Sequence, residues 1–170
     1  ELGRMRGSNT AKLLLQFGAE LVCWGVEAHG RELRHAIDSA QAAAAAAGEA
    51  APLGALVLFP AAGARPAKEL AVEAALQRAT VGARVAADAS ASPPSALPRC
   101  IVVLDGGWKE SRKMEQSIDP RVPRCFVESA TRGEYGGTRK YSGSSDDRVQ
   151  TAAAFIQLLK ELGDDAARVA

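Results

Sequence analysis

Apolar and polar positions along this chain change rhythm repeatedly, and the changes divide it into elements. Residues 8 to 17, SNTAKLLLQF, place Ser8 or Asn9 as an N-cap before an apolar run, which predicts a helix start. In AELVCWGVEA, 19 to 28, Val22, Trp24 and Val26 alternate with smaller or polar neighbours, the period of a short strand. Residues 31 to 47 are rich in alanine and predict a helix by propensity alone. LGALVLFP, 53 to 60, is a compact apolar strand stopped by Pro60, and residues 66 to 79 form a helix with proline in its first turn. The prolines and serines of 89 to 98 make a loop. CIVVLD, 100 to 105, is a short, β-branched, continuous run of the kind a parallel sheet buries on both faces. WKESRKMEQS continues as a helix, RCFVES at 124 to 129 predicts another strand, and residues 146 to 162 close as an amphipathic helix carrying Val149, Phe155, Ile156 and Leu159. Strand and helix alternate throughout, so the expected class is α/β, a mainly parallel sheet with flanking helices.

Composition narrows what such a sheet could do. A chain of 170 residues can bury one sizeable core, so a single domain over 1–170 is expected. With 21 Lys and Arg against 20 Asp and Glu, no global field attracts a polyanion, and a nucleic acid would have to be held by a local patch. Cys23, Cys100 and Cys125 are odd in number, have no C-x-x-C spacing, and find only His29 and His35 as further metal-binding types. The pattern argues against a disulfide framework and against a zinc site, and for a reducing compartment. No apolar run reaches membrane-spanning length and no signal-peptide pattern opens the chain, so an intracellular protein is expected, cytoplasmic first, with the nucleus or an organelle left open. The opening ELGRM, without an initiator methionine, reads as an excised domain or a fragment.

Open parallel sheets bind ligands at the carboxyl ends of their strands. Two strand ends here run into small residues, "LVLFPAAGARPAKE" and "VVLDGGWKESRK". Gly106 and Gly107 would let a ligand approach the backbone and leave N–H groups for an anion beside a helix start. Each residue also has a plainer reading. Asp-Gly-Gly makes a tight turn, Asp105 can cap the following helix, and Trp108 can be core packing. Arg112 and Lys113 can be a solvated helix face, and "TRK" with "SGSSDDR" a surface loop.

The same residues carry a resemblance. "LDGGWKESRKM" resembles the signature of the DTW-domain family, in which a strand ends Asp-x-Thr-Trp and continues into a basic helix. "SNTAKLL" is similar to that family's Asn-Thr-x-x-Leu-Leu opening, "ALVLFP" to its Leu-Leu-Phe/Tyr-Pro strand, and "YGGTRKYSGSSDDRVQTAAAF" to its Tyr-x-x-Arg-Lys and Ser-Thr-x-Glu-Ala stretches. The four fall in order over residues 8 to about 160. The resemblance implies a tRNA-uridine aminocarboxypropyltransferase, with S-adenosylmethionine donating its 3-amino-3-carboxypropyl arm to uridine N3. It also implies a SPOUT-like fold with a knotted C-terminal cofactor pocket.

On that basis Asp105 is the candidate base or anchor for the uracil edge, and Trp108 the stacking surface. The cofactor site would draw on Phe59, Pro60, Leu104, Asp105, Gly106, Gly107, Arg112, Arg139 and Thr151. Asn9, Thr10, Lys113 and Lys140 would meet RNA. The expected partner is tRNA, not DNA or a membrane, and no metal is implied. Arg4 and Arg6, with Arg121, Arg124, Arg132, Arg139 and Lys140 in the last third, would supply a phosphate-tracking surface. Two departures stand out: Gly107 replaces the family's Thr, and Ala153 the Glu of its late motif. The cysteine-rich segment that many members carry upstream is absent from this sequence. The departures keep open a non-catalytic RNA-binding relative, and the fold keeps open a SPOUT-type methyltransferase.

Overall fold

The computed structural model describes residues 10–46, 53–85, 97–128 and 151–163. Within them lie a 3₁₀ helix Thr10–Phe17 and four α-helices: α1 Glu27–Ala46, α2 Ala67–Val85, α3 Trp108–Gln116 and α4 Thr151–Glu161. Four strands, β1 Ala55–Leu58, β2 Arg65–Pro66, β3 Cys100–Val103 and β4 Arg124–Phe126, form one parallel sheet in the order β2-β4-β1-β3. This is the α/β class the patterning predicts.

β1 sits between β3 and β4, pairing Val57 with Val102 and with Arg124. Its side chains divide the core. Ala55, Val57 and Phe59 face Ile37 and Ala40 of α1, together with Ile118 and Val122. Leu56 and Leu58 face Ala67 and Leu70 of α2 and Leu158 of α4. Leu56 and Leu158 are fully buried, and removing either side chain to Ala costs roughly 2–5 kcal/mol. The close fit on the α1 side depends on Gly54. A Cβ there would stand 2.7 Å from the Gln41 Cα and 2.8 Å from the Ala40 carbonyl oxygen, so only glycine lets the chain enter β1 beneath α1.

Several expectations need correction. The strand expected at 19–28 does not form. Gly25 takes φ 86°, which breaks the extended backbone, and α1 begins at Glu27. The Gly30 amide donates to the Val26 carbonyl at 3.0 Å and the Cys23 amide to His29 Nδ1 at 3.0 Å, so the segment turns into a helix instead of pairing. Thr10–Phe17 is a 3₁₀ helix that buries Leu14 and packs on α4, while Ser8 and Asn9 lie outside the described residues. β3, expected to be buried on both faces, is the last strand in the order, and only its Val102 is buried; β1 holds the central position. In α4 the buried positions are Ala152, Ala153, Gln157 and Leu158, with Phe155, Ile156 and Leu159 half-buried. Val149 lies outside the described residues, as does most of the 89–98 loop.

Candidate active site at the carboxyl ends of the strands

Parallel pairing brings the two marked strand ends together. Because Leu58 is in register with Val103, Phe59 and Pro60 leave the sheet beside Leu104 and Asp105. α2 returns the chain on the face of Leu56 and Leu58, and the connection through α3 crosses β1 on the face of Phe59, Ile118 and Val122. The crevice outside the strand ends, where connections part to opposite faces, is where such sheets hold ligands.

Asp105 is half-buried at the end of β3. Its Oδ1 accepts a hydrogen bond from the Thr151 hydroxyl at 2.7 Å, which joins the sheet edge to the first turn of α4. The capping role open to Asp105 goes elsewhere: the N-cap of α3 is Gly107, at φ −64° and ψ 154°, and it makes no side-chain capping bond. The Ser111 amide donates instead to the Gly107 carbonyl at 2.9 Å, as a first helical turn does.

Neither Gly106 nor Gly107 has positive φ, so the pair is not a left-handed turn. A Cβ on Gly106 would meet the Ser111 Oγ at 3.4 Å and the Met114 Cε at 3.6 Å, contacts that fit an ordinary side chain closely. A Cβ on Gly107 would press on the Glu110 carboxylate, the far end of a flexible side chain. The backbone geometry therefore does not demand either glycine.

Trp108 opens α3 with 43% of its surface exposed. Its ring centroid lies 5.2 Å from that of Phe59, tilted by 32°, so the buried end of β1 backs the tryptophan. Arg112, one turn on, places its guanidinium carbon 5.9 Å from the same ring centre, a cation–π contact. Trp108 is thus a half-exposed ring on a buried aromatic, with a cation beside it.

The expected site residues separate into three groups. Phe59, Leu104, Asp105, Gly106, Gly107, Trp108, Arg112 and Thr151 share one end of the sheet, and Pro60 is exposed next to Phe59. Lys113 is exposed on α3 but on a different face from Trp108 and Arg112, and Thr10 opens the 3₁₀ helix. Asn9, Arg139 and Lys140 lie outside the described residues, as do Arg4, Arg6 and Arg132.

Arg121 and Arg124 were expected on a phosphate-tracking surface; the structure turns Arg124 inward and leaves Arg121 exposed beside Asp119. Arg121 is exposed and holds Asp119 through Nη2 to Oδ2 at 2.6 Å, which keeps the Asp119 carboxyl down at about 2. Arg124 is nearly buried. It pairs through Nε with Glu115 Oε1 at 3.0 Å and donates to the carbonyls of Glu115, Ile118, Asp119 and Val122. Glu115, its partner, escaped the sequence reading, since a carboxylate on a charged helix gives no sign that it turns inward. The buried Ser111 escaped too, although its spacing of four from Gly107 marks the helix face directed at the strand end.

Among the described residues no three His, Cys, Asp or Glu side chains come together as metal ligands, and no helix is long and apolar enough to cross a membrane. Compared with known proteins, the chain matches the family model of the DTW domain over residues 2–170. No curated protein and no solved structure matches it.

Proposed function

The chain belongs to the DTW-domain family, whose members modify tRNA, and from that premise we propose that it transfers the 3-amino-3-carboxypropyl group of S-adenosylmethionine to N3 of a tRNA uridine. The observation that carries this reading is the family match over residues 2–170. The strand-end crevice supports it by offering groups of the kinds the reaction needs. The finer fold reading, a SPOUT-like domain with a C-terminal knot acting as a single catalytic domain in the cytoplasm, belongs to the same proposal.

The residues fit the donor. Its sulfonium and amino group carry positive charge, which the half-buried Asp105 complements, and its carboxylate finds a cation in Arg112. Gly106 and Gly107 leave the strand end bare of side chains, and Phe59 and Pro60 close the neighbouring end. When bound, S-adenosylmethionine supplies an electrophilic γ-carbon whose bond to sulfur breaks with the electron pair on sulfur, leaving methylthioadenosine as the uridine nitrogen forms its new bond.

This chain's own residues have to select that carbon and prepare the uridine. N3 is a weak acid, and Asp105 is the base that takes its proton or the acceptor that holds its edge. Trp108, backed by Phe59, gives an unstacked uracil a surface that Arg112 extends. Holding both partners in one geometry removes much of the entropic barrier and chooses among the three carbons on sulfur.

A second reading, a relative that binds RNA without catalysis, draws on two positions. Gly107 offers no hydroxyl at the N-cap of α3, and Ala153 is buried in α4 where the family motif has Glu. One experiment separates the two. The protein is incubated with unmodified tRNA and S-adenosylmethionine, the RNA is digested, and its nucleosides are weighed by mass spectrometry. An aminocarboxypropyl-uridine whose formation falls steeply, to a small residual rate, in Asp105→Ala supports the transferase. A methylated nucleoside reassigns the chemistry, and an unchanged RNA with donor still bound favours the binding relative.

A further inference from the structure

We propose that Thr151 is a positioning residue for Asp105, acting through its hydroxyl on that carboxylate and not as a ligand of the donor. The inference rests on the transferase reading above and gives one residue of that site a defined task.

Asp105 leaves β3, which among the described strands lies at one end of the order beside β1. Among the described residues, the hydrogen bond to its carboxylate comes from α4, not from the sheet or α3. A carboxyl group placed there can rotate about its own side-chain bonds. The Thr151 hydroxyl removes that freedom by donating to Oδ1 at 2.7 Å, within the normal range for an O–H···O bond.

The donor is itself fixed. Thr151 opens α4, whose next two residues, Ala152 and Ala153, are buried and whose Leu158 is locked against Leu56 and Leu58. A threonine side chain in a helix has two favoured χ1 rotamers, and the bond to Asp105 selects one of them. The rigidity of α4 is passed to Asp105 through one bond between residues far apart in sequence. A base or anchor held in this way meets N3 without first being ordered, and small misplacements of such groups carry large rate penalties.

The assignment leads to a specific pattern. Thr151→Val keeps the shape and deletes the donor; Thr151→Ser keeps the donor. If Thr151 acts through Asp105, the valine variant lowers kcat for aminocarboxypropyl transfer about 10- to 100-fold, in line with the loss of a supporting partner, while KM for S-adenosylmethionine and for tRNA stays within about twofold. The serine variant recovers most of the rate. In an Asp105→Ala background, Thr151→Val has no further effect on the residual rate, because the group it positions is gone.

The experiment measures kcat and both KM values for wild type, the three single variants and the Asp105→Ala/Thr151→Val double variant, with circular dichroism to confirm that each is folded. A valine variant with wild-type kcat overturns the assignment, as does a loss confined to the KM of the donor, which would make Thr151 a direct ligand. Independent, multiplicative losses in the double variant overturn it as well. Wild-type protein that transfers nothing removes the transferase reading and the inference with it, a result distinct from active wild type with an indifferent valine. If Thr151→Val fails to fold, the comparison of wild type with Thr151→Ser and Thr151→Ala decides the matter by the same split between kcat and KM.

Discussion

Replacing Arg124 with methionine should be among the most damaging single changes to this fold, although the sequence presents it as one more surface cation. Its side chain is 9% exposed and that of Glu115 14%, so the pair is largely removed from water. Breaking a buried pair by deleting one partner costs about 3–5 kcal/mol, because the other charge is left uncompensated. Arg124 also donates to the Asp119 carbonyl at 2.7 Å, the Ile118 carbonyl at 3.0 Å and the Glu115 carbonyl at 3.3 Å, as well as to that of Val122. The Glu115 and Asp119 carbonyls also accept from the Ile118 and Val122 amides, so the guanidinium matters most to the carbonyls of Ile118 and Val122. Arg124→Met should therefore lose about 4 kcal/mol. Glu115→Gln strands the arginine charge in turn but keeps an acceptor for the guanidinium and leaves the carbonyls served, so it should lose less, about 2–3 kcal/mol. Adding Glu115→Gln to Arg124→Met removes the stranded charge but supplies no donor, and should recover no more than about half of the loss. Equilibrium unfolding in urea, followed by circular dichroism, reads all three midpoints. Arg124→Met losing less than about 1 kcal/mol, or full recovery in the double variant, would refute the argument that the carbonyls depend on this guanidinium.

The other expected outcomes follow from the site and its surroundings. Trp108→Ala should raise KM for tRNA about 5- to 150-fold, the equivalent of about 1–3 kcal/mol for one stacked base, and cost about 1–2 kcal/mol of stability through its lost contact with Phe59; an unchanged KM would remove Trp108 as the stacking surface. Gly107→Thr suits the extended N-cap backbone and should add a few tenths of a kcal/mol in thermal unfolding, roughly the gain expected over a glycine cap. A loss above about 1 kcal/mol would mean that Glu110 cannot move aside. Burial pushes the Cys125 thiol up to about 12 from an ordinary 9.0, so the folded chain keeps it protonated where the unfolded chain ionises. Its contribution to stability is complete below pH 9.0 and is lost as pH rises towards about 12. Cys125→Val should flatten that alkaline decline, and a disulfide reagent at pH 8 should reach the exposed Cys23 in the native protein but Cys125 only after unfolding.

What the sequence could and could not announce has a physical pattern. β1 and β3 are legible because a short β-branched run between breakers has few other uses, and α2 because proline favours a helix start. Which of the two strands is central is not legible, since both are continuous apolar runs and only the order β2-β4-β1-β3 decides. The false strand at 19–28 had a convincing alternation of Val22, Trp24 and Val26, but among the described residues no strand pairs with it, and Gly25 turns the chain away. In the site, Asp105, Trp108 and Arg112 could be named from one stretch because i and i+4 neighbours meet on a helix. The link from Asp105 to Thr151, and the inward turn of Arg124 onto Glu115, are decisions of tertiary packing. Local patterning carries no trace of them.

The strand order also sets a timetable for folding. β1 pairs Ala55 with Cys100 on one side and Val57 with Arg124 on the other, and β2 pairs with β4 through Cys125 and Phe126. The most apolar strand of the sheet is thus made early and completed late, through contacts of long sequence separation that form slowly. While the chain is being synthesised, the edge of β1 that will receive β4 has to stay unpaired until residues 124–126 emerge. That interval is when this protein is most exposed to wrong partners, and a chaperone that shields one short strand would protect it best.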